Sequence, residues 1–175
     1  VVRYAAPGYC DLRLDDRNIS DAVLAPTVSV FDRRVRFLEL DISALLRPGE
    51  RQTWSAVLGN GWYNCHTSEV WHFDKAPWRD WPKLCFELEI DGEIVLTADR
   101  DWKLATGGLL FDSLRNGERF DARREPYLWR RTGFDDTGWE RPIYTAPPGG
   151  ILTRQEAPCC KILRTLPPRR LERNG

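Results

Sequence analysis

The sequence predicts an all-β protein, a two-sheet antiparallel β-sandwich with one short helical turn and an irregular C-terminal tail. Three observations carry that prediction. Apolar residues alternate with polar ones in short runs, so the hydrophobic period is two and not that of a helix. The runs are separated by Gly, Pro, Asp and Asn, the residues that turns require. A chain of 175 residues buries roughly two-thirds or more of its unfolded surface, which suits one core shared by two sheets.

The elements follow in order. Residues 9–14 are the first short β-rich run. Residues 14–19, Leu-Asp-Asp-Arg-Asn-Ile, place turn formers between strand residues. Residues 34–40 form the next β-rich run, and residues 41–46 are the single helical hint, with Asp41 able to cap the turn and Pro48 stopping it. Runs at 53–58, 83–90 and 93–97 complete the set. Asp91-Gly92 between the last two is a strong hairpin signal, because both residues tolerate positive φ.

From Pro142 onward prolines and glycines break the chain, and Pro167-Pro168-Arg169-Arg170 gives it a basic end. We therefore expect a sandwich over residues 1–145 and a Pro-rich connector over 146–175, with Cys160-Lys161-Ile162-Leu163 available to pair with a sandwich edge or a neighbouring domain. Absence of Met and a valine at position 1 suggest a piece of a longer protein. Localisation is open.

Charge and cysteines narrow the function. Lys and Arg total 26 against 26 Asp and Glu, so bulk electrostatics give no reason to expect nucleic acid or a membrane surface, and a neutral ligand is expected. No apolar run approaches a bilayer span. Five cysteines without a CxxC and two histidines argue against a metal cluster or a disulfide scaffold. Cys10 and Cys85 read as core residues. Cys65 beside His66 is a poor nucleophile and base, because neighbours on a strand point to opposite faces.

Aromatic and polar clusters carry the candidate site. Eight tryptophans are present, of which Trp54 and Trp102 sit in strand patterns and read as core. Residues 71–82 are too aromatic for a solvated linker and too irregular for a strand; they should fold down as a packed loop beside a pocket or a partner domain. Gly59-Asn60-Gly61-Trp62 flanks an amide with glycines and follows it with an indole, which suits either an aromatic platform for the C–H face of a sugar or a packed bulge. Residues 116–123 gather Asn116, Glu118, Asp121 and Arg123 around Gly117. Such a set can grip a polyol, carboxylates accepting from vicinal hydroxyls and the guanidinium donating in a fork; a salt-bridged turn locking two strands fits the same residues.

These residues also carry a family resemblance. Ala5-Ala6-Pro7-Gly8-Tyr9, Phe31-Asp32-Arg33-Arg34-Val35, Asp41-Ile42-Ser43, Gly59-Asn60-Gly61-Trp62-Tyr63, Trp81-Pro82-Lys83-Leu84, Asn116-Gly117-Glu118 with Phe120-Asp121-Ala122-Arg123, and Gly133-Phe134-Asp135-Asp136-Thr137-Gly138-Trp139 occur in order. Together they resemble the amino-terminal β-sandwich domain of bacterial α-L-rhamnosidases. The resemblance implies a jelly-roll or galactose-binding-like sandwich inside an inverting glycoside hydrolase that removes terminal α-L-rhamnose. It places the catalytic carboxylates in a downstream α/α toroid, so no catalytic residue is expected in this chain. It also implies a rhamnose-containing glycan and the catalytic and other β-domains of the same polypeptide as partners. The expected sugar-binding set is Asn60, Trp62, Asn116, Glu118, Asp121 and Arg123, with calcium a possible companion at Asn116, Glu118 and Asp121. The alternative is a purely structural docking domain that packs on the toroid through residues 71–81.

Overall fold

A computed structural model describes residues 1–68 and 71–170. Its strands are β1 (Val2–Ala5), β2 (Tyr9–Leu14), β3 (Arg17–Asn18), β4 (Ala22–Val23), β5 (Arg34–Leu40), β6 (Trp54–Gly59), β7 (Cys85–Ile90), β8 (Glu93–Thr97), β9 (Leu109–Ser113), β10 (Gly117–Phe120), β11 (Ile151–Arg154) and β12 (Cys160–Lys161). They form a five-stranded sheet ordered β11-β5-β1-β7-β8, a three-stranded sheet ordered β3-β2-β6, and the pairs β10-β9 and β12-β4. The all-β sandwich expected from the alternation is what the chain adopts.

Alternation builds the core. On β1, Val2 and Tyr4 point inward, joined by Leu38 of β5 and by Phe86 and Leu88 of β7. The opposing sheet contributes Cys10, Leu12 and Leu14 of β2, with Trp54, Ala56 and Leu58 of β6 packed beside them. Trp54 meets Phe86 edge to face across the sandwich, ring centres 4.9 Å apart, and Trp102 lies 5.4 Å from the same ring. Both indoles therefore help close the core as expected. Cys85 does not: it is exposed, because the register that turns Phe86 inward turns its neighbour out. On the outer face of β1, Arg3 bonds Glu39 of β5 and Glu87 and Glu89 of β7, so one guanidinium ties three strands.

Both predicted turns form. Asp91 and Gly92, at φ 52° and 85°, join β7 to β8. Asp15 and Asp16, at φ 51° and 63°, join β2 to β3 as a two-residue hairpin loop. The helical hint is a single 3-10 turn over Ser43–Leu45, entered with Asp41 Oδ1 accepting from the Ser43 amide at 2.9 Å.

Asp15 also acts as a junction. It accepts from the Thr53 amide at 2.8 Å, the Gln52 side chain at 2.9 Å and the Arg47 guanidinium. Burial pushes its pKa up, but these three donors outweigh burial and hold it below the usual aspartate value. A folded pKa below the unfolded one, about 3.9, means the stabilisation is complete above that value and disappears as pH falls through the lower folded value. Melting midpoints of Asp15→Asn and the parent chain should therefore diverge at neutral pH and converge toward about pH 2. A constant gap across that range would contradict the assignment.

The C-terminal stretch contributes strands despite its prolines. β11 runs parallel to β5, Ile151 opposite Arg34, and β12 pairs with β4. Gln155 anchors the path between them: its Oε1 accepts from the Thr27 amide at 2.9 Å and its Nε2 donates to the Ala157 carbonyl at 3.0 Å. Residues 171–175 lie outside the described residues. No helix among the described residues is long and apolar enough to cross a membrane.

Candidate functional site

The turn after β6 and the β9–β10 hairpin meet at one end of the sandwich. The Asn60 amide N–H donates to Asp112 Oδ1 at 2.8 Å, and Asn60 Nδ2 donates to Asp112 Oδ2 at 2.8 Å and to the Asp112 carbonyl at 3.2 Å. Asn60 Oδ1 in turn accepts from Asn64 Nδ2 at 2.7 Å. The side chain expected to touch sugar is thus a latch between the turn after β6 and strand β9, and its polar atoms are already bonded.

Trp62 and Tyr63 leave this turn in opposite directions. Tyr63 is buried against Phe31, ring centres 5.1 Å apart, and burial pushes its phenol up to about 12. Trp62 faces outward and packs edge to face with Trp71 at 5.7 Å and Phe73 at 5.4 Å. The Arg115 guanidinium, from the tip of the β9–β10 hairpin, lies 5.7 Å from the Trp62 ring centre and 5.3 Å from that of Trp71. The aromatic loop packs only in part: Phe73 and Trp78 are half-buried while Trp71 and Trp81 stay exposed.

Beside this wall, Asn116 Nδ2 donates to Thr67 Oγ1 at 3.1 Å, and the Asn116 amide donates to Ser113 Oγ at 3.3 Å. Glu118 stands on β10 opposite Asp112, exposed, its carboxylate unbonded among the described residues. Asn60, Trp62, Asn116 and Glu118 therefore gather at the hairpin. Asp121 and Arg123 lie past the other end of β10, where the Asp121 amide bonds the Gly108 carbonyl. There Asp121 accepts from Arg123 Nε at 2.8 Å and Nη2 at 2.7 Å. The Arg123 side-chain bond lowers the Asp121 pKa, and Asp121 raises that of Arg123. A salt bridge was one of the two readings of this cluster; it forms between these two residues, but within a single turn and not between two strands.

Calcium needs several oxygens converging on one point. Both Asp121 oxygens are engaged by Arg123, and four strand residues separate Asp121 from Asn116. Among the described residues no group of three or more His, Cys, Asp or Glu could hold a metal ion. The Asn116, Glu118 and Asp121 trio does not fit calcium as it stands. Cys65 and His66 also diverge: the Cys65 thiol is buried against the Thr67 carbonyl, while the exposed His66 ring contacts Arg79. Sequence reasoning passed over Asp112, Thr67 and Arg115. Arg115 carried a usable signal, a guanidinium at a hairpin tip in an indole-rich chain; Asp112 and Thr67 carried none.

The family model for the alpha-L-rhamnosidase N-terminal domain matches residues 1–164. An alpha-L-rhamnosidase of Formosa agariphila is 31% identical over 169 residues, covering 92% of this chain and 17% of that protein. One from Streptomyces avermitilis is 30% identical over 172 residues, covering 95% of this chain and 16% of that protein. The solved alpha-L-rhamnosidase of Dictyoglumus thermophilum superposes with a TM-score of 0.79 at 31% identity, covering 93% of this chain and 18% of that one. The Streptomyces avermitilis alpha-L-rhamnosidase complexed with L-rhamnose gives 0.74 at 26% identity, over 85% of this chain and 14% of that one. The chain thus spans about a sixth of the length of the curated relatives it matches.

Proposed function

Since the chain belongs to the alpha-L-rhamnosidase N-terminal domain family, we propose that it is a non-catalytic accessory module of an α-L-rhamnosidase, recognising rhamnose-bearing glycan beside the β9–β10 hairpin. One observation carries this reading. An exposed indole, Trp71, and its partner Trp62 stand under a guanidinium, with the unbonded Glu118 carboxylate and the Asn116 amide on the neighbouring hairpin. A sugar presents an apolar C–H face to such rings and hydroxyls to such oxygens.

Inverting hydrolysis needs two carboxyl groups about 6.5–9.5 Å apart, one with a raised pKa. Asp121 is instead held low by Arg123, which favours a supporting role for this chain. Within the proposal residues 1–145 form the recognition sandwich, and 146–175 form a connector whose strands β11 and β12 staple it.

A second reading has its own observation. Tyr127, Ile143 and Leu163 are 85%, 87% and 96% exposed, side chains that docking on the catalytic part of the same polypeptide would cover. Calorimetric titration with L-rhamnose, with and without calcium, separates the two. Recognition predicts a dissociation constant of about 1 mM, weakened about tenfold or more in Glu118→Ala and Trp71→Ala. No heat at millimolar sugar and no change in Glu118→Ala would remove recognition, and strong binding of a hydrophobic dye by the same sample would then favour docking.

A further inference from the structure

A cavity of about 400 Å³, separate from the hairpin, opens at the start of β5 and is lined by Arg33, Arg34, Arg36, Ser29, Thr27 and Gln155 among others. Its position follows from the strand. Alternation puts Arg34 and Arg36 on the face that carries Leu38 and Leu40 into the core, so an apolar inner face continues outward as two arginines. The preceding turn adds a third, because the Arg33 and Arg34 amides both bond the Val30 carbonyl at 2.8 Å. The C-terminal strap forms the opposite wall, held by Gln155 on the Thr27 amide.

Among the described residues the charge there has no paired carboxylate. Where both partners are described residues, the arginine ion pairs involve Arg3, Arg13, Arg47, Arg123, Arg130 and Arg154, none of them in this cavity. Among the described residues Arg36 bonds only neutral oxygens, Thr153 Oγ1 at 3.2 Å and the Arg154 carbonyl at 3.3 Å. Asp32 and Glu156, the nearest carboxylates in sequence, do not line the cavity, and Glu39 is taken by Arg3 and Arg154. In a chain with 26 basic and 26 acidic residues, three guanidinia without a carboxylate are a local asymmetry. Guanidinium stays charged at any working pH, and its planar fork suits an oxyanion.

We propose that this cavity binds an acidic sugar, a saccharide bearing a carboxylate or a sulfate ester, through Arg33, Arg34 and Arg36. The oxyanion part rests on the cavity alone. The sugar part rests on the recognition reading above and on a volume within the range of small-molecule sites. The module would then read two features of one glycan, a neutral deoxysugar at the hairpin and an acidic residue at β5.

The test titrates this chain at low salt with glucuronate, with glucose 6-sulfate, with acetate, with inorganic sulfate and with L-rhamnose. At least one acidic sugar should bind more tightly than its free anion, and the two sugars together tell carboxylate from sulfate. Binding should weaken about tenfold in Arg34→Gln/Arg36→Gln, the equivalent of one charge-assisted contact, and should fall as salt rises. Arg33→Gln guards against misfolding, since that side chain makes no bond among the described residues; it should weaken acidic-sugar binding while leaving the melting midpoint in place. No heat from either acidic sugar, or heat indifferent to all three substitutions, overturns the proposal. Free anions binding as tightly as the sugars overturn its sugar part. A silent rhamnose arm alone removes the recognition reading and leaves the oxyanion site standing.

Discussion

A Gly8→Ala substitution should destabilise the chain by about 3 kcal/mol, a large share of a small domain's total stability. Gly8 turns the chain from β1 in one sheet to β2 in the other, at φ +100°. A Cβ built there would lie 2.3 Å from the Gly59 carbonyl oxygen and 3.2 Å from that of Asn60. Both obstacles are backbone, so no side chain can swing away; the turn after β6 has to move. Positive φ adds about 1–2 kcal/mol for alanine, and overpacking adds about 1–3 kcal/mol. Gly92 isolates the first contribution: it sits at φ +85° with nothing within 4 Å of its would-be Cβ. Gly92→Ala should thus cost about 1 kcal/mol. Urea unfolding of both variants measures the difference, and equal losses would refute the backbone contact. Because the displaced turn carries Asn60 and Trp62, Gly8→Ala should also weaken whatever the hairpin binds.

That contact shows where the sequence is legible and where it is silent. The Asp91-Gly92 and Asp15-Asp16 loops, the 3-10 turn after Asp41 and the inward set of β2 are decided within a few residues, so local chemistry reveals them. β10 escaped because it lies in solvent: Glu118, Arg119 and Phe120 show no apolar alternation, and the segment reads as a polar turn; its partner β9, half-buried, went with it. β11 escaped for another reason. It follows Pro147-Pro148-Gly149-Gly150, and its partner β5 lies over a hundred residues earlier in a parallel register that no local pattern encodes. The candidate site divides the same way. Trp62 and Glu118 could be picked by residue type. The commitment of Asn60 to Asp112, and of Asp121 to Arg123, depends on which neighbour the fold supplies.

Asp112→Ala should show how much of the site depends on that latch, with an expected loss of about 2–3 kcal/mol and a disabled hairpin. The carboxylate, on β9, accepts the Asn60 amide and the Asn60 side chain, each at 2.8 Å, from a turn 52 residues away in sequence. Removing it orphans an amide and half-empties Nδ2, at about 1–3 kcal/mol for each unsatisfied buried group. An opposing effect has to be weighed. Asp112 faces Glu118 across the β9–β10 pair, and relieving like charges on paired strands returns at most about 1 kcal/mol. The lost hydrogen bonds outweigh it, and Asp112→Asn, which keeps one acceptor, should fall between parent and alanine variant. Asn64 is buried and bonded to Asn60, so the turn should keep its internal shape while the hairpin swings away from it. Amide exchange then has a signature: fast exchange at Asn60 and along β9 and β10, with β1, β5 and β7 still protected. Uniform acceleration over both sheets would mean that Asp112 supports the whole sandwich, whereas unchanged exchange at Asn60 would mean that the latch does not hold the hairpin. In the localised case Trp62 keeps its ring partners on its own side and loses Arg115, so rhamnose binding at the hairpin should fall while acidic-sugar binding at β5 stays the same.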